Sequence, residues 1–110
     1  MQIHFRTNKL QKVCSNAKEG IKKLGSECAR KLRARMTDLA AALTLEDMRN
    51  LPGRLHELTG DRKGQLSLDL KHPYRLLFRP SADPPPRTDD GSLDYSLIDA
   101  ITIEEIADTH

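Results

Sequence analysis

The chain has 110 residues, 37% of them hydrophobic and 31% charged, with no Trp and a formal net charge of +2. Those values suit one small soluble domain over residues 1–110, and they exclude a disordered chain and, with no apolar run of bilayer length, a membrane-embedded one. The small net charge conceals an asymmetry: residues 1–35 carry ten basic and two acidic side chains, whereas residues 83–110 carry one basic and eight acidic.

The opening "MQIHFRTNKL" alternates polar and apolar residues and lacks the apolar centre of a signal peptide, so residues 2–6 read as a strand and the protein as cytoplasmic. Thr7 can cap a helix in which Leu10, Val13, Cys14 and Ala17 fall at helical spacing, until Gly20 and Gly25 interrupt it. A second helix begins near Ser26, with Ala29, Leu32, Met36, Ala40 and Leu43 on one face and Arg30, Lys31, Arg33 and Arg35 elsewhere. The basic helical region suits a polyanion partner, with a solvated helix face as the plainer reading that explains most such charge runs. Cys14 and Cys28 fall on the apolar faces, where a reduced thiol packs as a small hydrophobe. No His clusters near them at zinc-site spacing, so no metal or other cofactor is expected. "TLEDMRN" adds a turn of helix at most, and "LPG" at 51–53 closes the helical part.

From Arg54 onward the period becomes two. In "QLSLDL" Leu66, Leu68 and Leu70 point one way and Gln65, Ser67 and Asp69 the other, as in a strand with one wet face. "TGDRKG" (59–64) is then a hairpin loop and "KHP" (71–73) a second turn. "YRLLFR" follows, with Arg75, Leu77 and Arg79 on the face opposite Tyr74, Leu76 and Phe78. "PSADPPPRTDDGSLDYS" is a long acidic loop, because proline bars it from helix or central strand. "LIDAITIEEI" supplies the last strand, in which simple alternation sends Glu104 and Glu105 to opposite faces. The layout is α+β: an N-terminal strand and two helices packed on a mainly antiparallel sheet.

Pairing neighbouring strands in the simplest way gathers Arg54, His56, Gln65, Ser67, Asp69, Arg75 and Arg79 on the uncovered sheet face. Arg62 and Lys63 join them from the hairpin loop. Arginine holds phosphate through paired hydrogen bonds, and histidine moves protons near neutral pH. The closing "DTH" sets Asp108 where it can orient the imidazole of His110. RNA carries its own nucleophile, the 2′-hydroxyl, so a catalyst needs positioning, cations and one proton acceptor. The plainer readings are that His110 is a frayed chain end and His56 a hydrogen-bonded strand residue.

The stretch "LPGRLHELTGDRKGQLSLDLKHPYRLLF", closed by "IEEIADTH", resembles the HigB-type toxins of the RelE/ParE superfamily, the plasmid maintenance system killer proteins. The resemblance covers most of the chain and is most specific around Leu-His-x-Leu, Gly-Asp-x-x-Gly, Tyr-Arg and the terminal Asp-x-His. It implies a RelE-like fold and metal-free, ribosome-dependent cleavage of mRNA. It also implies neutralisation by a HigA-type helix-turn-helix antitoxin, through which the pair binds operator DNA. His56, Arg75, Asp108 and His110 match the family's catalytic pattern, and the cationic face and hairpin loop add Arg54, Arg62, Lys63 and Arg79 as RNA-binding candidates. Two positions depart from it: Thr59 stands where the family commonly has Lys, and Thr109 where it has Tyr. Those departures leave a non-cutting module that binds antitoxin and ribosome as one alternative. A ParE-like gyrase inhibitor is the other.

Overall fold

The change of period near residue 54 separates two layers. In the computed structural model, which describes residues 1–108, the first part forms β1 (Gln2–Phe5) and the helices α1 (Asn8–Ser15), α2 (Ala17–Leu24) and α3 (Ser26–Ala41). The second forms β2 (His56–Glu57), β3 (Leu66–Asp69), β4 (Tyr74–Pro80) and β5 (Ala100–Asp108). The strands make one sheet in the order β1-β5-β4-β3-β2, antiparallel except where β1 runs parallel to β5. The α+β layout expected from the sequence is the one observed.

The described residues form three α-helices where the sequence suggested two, and the break falls at Asn16, not at a glycine. The Asn16 N–H closes α1 on the Lys12 carbonyl, and its side chain accepts from the Glu19 N–H at 3.2 Å to open α2. One short amide thus serves as both caps, and Ala17 leaves the first apolar stripe. Gly20 stays inside α2, where a Cβ would come within 3.1 Å of the Val13 carbonyl oxygen, so it marks the close approach of α1 and α2. Gly25, at φ +83, makes the turn into α3. On α3 the buried residues are Cys28, Ala29, Leu32 and Leu39. Ala40 is exposed and Leu43 lies beyond the helix end in solvent, which corrects the second half of the expected stripe.

Leu66, Leu68, Leu76, Phe78, Ile101 and Ile103 project from the sheet into one apolar cluster with Leu32, Leu39, Leu45 and Met48. Each contributes about 1.5–3 kcal/mol relative to remaining exposed. Cys14 and Cys28 are free and buried, as expected, and burial pushes the Cys14 thiol up to about 11, so it stays protonated. The acidic loop is largely irregular, yet it anchors itself in the core through Leu93 and Tyr95. Among the described residues no helix is long and apolar enough to cross a membrane. The helices cover one face of the sheet and leave the other to the polar side chains.

Candidate nucleic-acid interface

The open face is organised by register. One row runs His56–Ser67–Leu77–Glu105 across β2, β3, β4 and β5, and the next runs Asp69–Arg75–Ala107. Adjacent strands lie about 4.8 Å apart, so His56 and Arg75 sit roughly 11–12 Å apart at the backbone, within reach of a phosphate held between their side chains.

The entry to β2 is set by its backbone. Gly53, at φ +117, packs so closely on α3 that a Cβ would lie 2.8 Å from Arg35 Nε. Arg54 then takes φ +50, a left-handed conformation that residues other than glycine seldom adopt and that recurs at functional sites. From there Arg54 Nε donates to Asp69 Oδ2 at 2.6 Å. His56 Nδ1 lies 3.3 Å from the Arg54 carbonyl oxygen and 3.4 Å from Ser67 Oγ, with the ring exposed.

Carboxylates meet most of the expected cations. Asp69 joins two of them, its Oδ1 lying 3.4 Å from Arg75 Nε while Oδ2 holds Arg54. Arg62 pairs with Glu105, and Arg79 with Glu104. Arg6, at the end of β1, donates from Nε to the Glu104 carbonyl oxygen at 3.0 Å. The expectation that Glu104 and Glu105 face opposite ways is corrected by a bulge: Leu77 pairs with Glu105 but Phe78 pairs with Ile103, leaving Glu104 as the extra residue. Both carboxylates consequently meet arginines of the open face.

This face is less wet than alternation suggests. Ser67 and Leu77 are fully buried although they belong to it. Arg62 lies between β2 and β3 in the chain, and its partner Glu105 lies on β5, so their ion pair crosses the intervening strands above the Ser67–Leu77 row. Lys63 forms no ion pair among the described residues. Asp108 ends β5 opposite Tyr74, one position beyond the partner of Arg75. His110 and Thr109 lie outside the described residues.

Sequence reasoning missed a cluster beside the face. Tyr95 donates its hydroxyl to Glu57 Oε2 at 3.0 Å, and the Arg49 guanidinium sits 4.1 Å above its ring. Burial, with the hydrogen bond to Glu57 second, pushes the Tyr95 hydroxyl up to about 12, so it stays a donor. The cluster ties the acidic loop to β2. Residues 38 positions apart give no local signal of such a contact.

A mainly antiparallel five-stranded sheet with helices packed on one face is an architecture shared with solved bacterial toxin structures. The chain is similar over its whole length to the YoeB/ParE toxin from Agrobacterium tumefaciens, at 11% identity and TM-score 0.61, covering 100% of that chain. It is similar also to the YoeB–YefM complex and to the YoeB dimer, both from Staphylococcus aureus, each at 14% identity and TM-score 0.55, covering 100% of this chain and 97% of that one. No protein-family model and no curated protein matches the sequence. At these identities the likeness establishes the fold, which is that of the YoeB/ParE toxins.

Proposed function

We propose that this protein is a type II toxin that cuts mRNA on the ribosome as an endoribonuclease and is restrained by an antitoxin. The observation that carries the reading is the placement of His56 and Arg75 in adjacent rows of one open face, with Asp69 bridging Arg75 and Arg54. In the reaction a base takes the proton of the 2′-hydroxyl, the freed oxygen attacks the adjacent phosphorus, and the bond to the leaving 5′-oxygen breaks as that oxygen gains a proton. Arg75 neutralises charge on the phosphorane. His56 and His110 are the two proton carriers, with Asp108 orienting His110. The RNA supplies the nucleophile, so these steps call on no metal. Arg54, Arg62, Lys63 and Arg79 hold neighbouring phosphates, each arginine exchanging a carboxylate for a phosphate on binding.

The HigB type is favoured by the Leu-His-x-Leu, Gly-Asp-x-x-Gly and Asp-x-His elements, with a helix-turn-helix partner of the HigA type that carries the pair to operator DNA. That one similar fold was solved as a complex supports a protein partner. The carboxylates on the arginines, with Thr59 and Thr109, favour a second reading: a module that binds antitoxin and ribosome without cutting. Induced without antitoxin, the protein should arrest growth and leave messages cut within translated codons. Intact messages in growing cells support the module, and intact messages with lost supercoiling support gyrase inhibition.

A further inference from the structure

The acidic loop, which the proposed reaction leaves without a role, forms one wall of a cleft beside the sheet face. A cleft of about 430 Å³ opens between the β2–β3 connection and this loop, with Thr59 and Lys63 on one side and Pro85, Arg87 and Leu93 on the other. Lys63 and Arg87 are both exposed, and neither forms an ion pair among the described residues, in contrast to the arginines of the sheet face. Arg87 donates from Nη1 to the Gly91 carbonyl oxygen at 2.8 Å, which holds its guanidinium on a short hairpin fixed by the Arg87–Leu93 bridge.

The cleft's chemistry is mixed in a particular way. Leu58, Pro85 and Leu93 give an apolar wall, the Thr59 hydroxyl a hydrogen-bonding group, and the two cations their charge. Gly60 has open space where a side chain would stand, so a ligand can approach its backbone. The one carboxylate lining the cleft, Glu57, is engaged by the Tyr95 hydroxyl. Of the loop's four acids, Asp90 accepts from the Ser92 N–H at 3.0 Å and Asp94 from the Ser96 N–H at 3.1 Å as turn caps, while Asp83 and Asp89 are exposed, and none of the four lines the cleft. An apolar wall beside two cations fits a base and ribose with their phosphate better than it fits a bare anion.

We infer that this cleft binds one nucleotide of single-stranded RNA flanking the reacting one, with Lys63 and Arg87 on its phosphate. Thr59 lies three residues along the extended chain from His56, about 10 Å, so a strand crossing the sheet face continues into the cleft. The inference rests on the proposed RNA reading and extends it to a residue, Arg87, outside the resemblance. It also makes the Pro/Asp-rich loop part of the RNA path.

Amide NMR of the whole chain tests it with three probes: uridine monophosphate, a short single-stranded RNA and a glutamate-rich peptide. The RNA and the nucleotide should shift Thr59, Gly60, Lys63 and Arg87, and the peptide should not. Lys63→Gln and Arg87→Gln should each weaken RNA binding about tenfold and lower its salt slope by roughly 0.7, the value of one lost contact to a single strand. Arg33→Gln on α3 is the control and should change neither. Cleft amides that stay still with RNA, or move equally with the peptide, overturn the inference. Cleavage that proceeds while the cleft amides stay still leaves the endonuclease reading standing without the cleft. Cleft shifts in a protein that never cuts do the reverse.

Discussion

The open sheet face and the α1–α2 hairpin carry similar numbers of cations and use them differently. On the sheet, Arg54, Arg62, Arg75 and Arg79 each meet a carboxylate, and Arg75 is held with its side chain only 15% exposed. On the hairpin, Lys9, Lys12, Lys18, Lys22 and Lys23 are all exposed and form no ion pair among the described residues. The sheet therefore offers fixed arginine geometry at little net charge, whereas the hairpin offers net charge at little geometry. Position-specific chemistry needs the first, and salt-sensitive docking on a polyanion is served by the second.

The largest break in that contrast comes from Arg75→Ala, which should slow cleavage on programmed ribosomes by about 100- to 1000-fold, the cost of one lost transition-state contact. Ribosome affinity should barely move. A loss of affinity matching the loss of rate would make Arg75 a docking residue like the lysines. Asp69→Asn sharpens the same point, since it removes the negative charge shared by Arg54 and largely buried Arg75 and replaces one of the two acceptor oxygens with an NH2 donor. Chemical denaturation should show a loss of about 1–3 kcal/mol, and an unchanged midpoint would mean the arginines need no carboxylate to hold them.

Glu105→Gln works in the opposite direction by releasing Arg62. RNA affinity should rise severalfold, in keeping with a partly exposed pair worth at most about 1 kcal/mol, and a fall would show that Glu105 helps to bind RNA. On the hairpin, Lys22→Gln and Lys23→Gln should each lower the salt slope of ribosome binding by roughly 0.7 to 0.9 if each meets one phosphate, with the cleavage step unaltered.

The smallest effect concerns the Tyr95–Glu57 contact. Tyr95 has its pKa raised from 10.0 to about 12, so the folded state holds this proton more tightly than the unfolded chain does. The associated stability is full below pH 10 and is lost as pH rises toward about 12. Tyr95→Phe should flatten that part of the stability profile, and a profile identical to that of the natural protein would remove the contact from the account.

Local pattern carried much of this structure. Alternation placed Leu66, Leu68, Leu76 and Phe78 inward and His56, Ser67, Asp69 and Arg75 on the other face, because strand geometry fixes a period of two wherever one face packs on a core. What stayed hidden was non-local or depended on one residue. Asn16 can end one helix and begin the next, so only the packing of α1 on α2 reveals the break. The bulge at Glu104 is a mismatch between two strands, and neither strand's own pattern contains it. The ion pairs Arg62–Glu105 and Arg79–Glu104 join residues 43 and 25 positions apart, so a sequence reading counts their charges without pairing them. The parallel register of β1 with β5 is likewise a long-range choice.

The central claim, that the open face cuts RNA through the strand's own 2′-hydroxyl, is tested most directly by single-turnover cleavage on ribosomes programmed with two messages. They are identical except that the second carries deoxynucleotides in the A-site codon. The account predicts cleavage of the first within that codon and none of the second, with Arg75→Ala slow on the first. Equal cutting of both messages would contradict it, because the attacking oxygen would then have to come from somewhere other than the RNA.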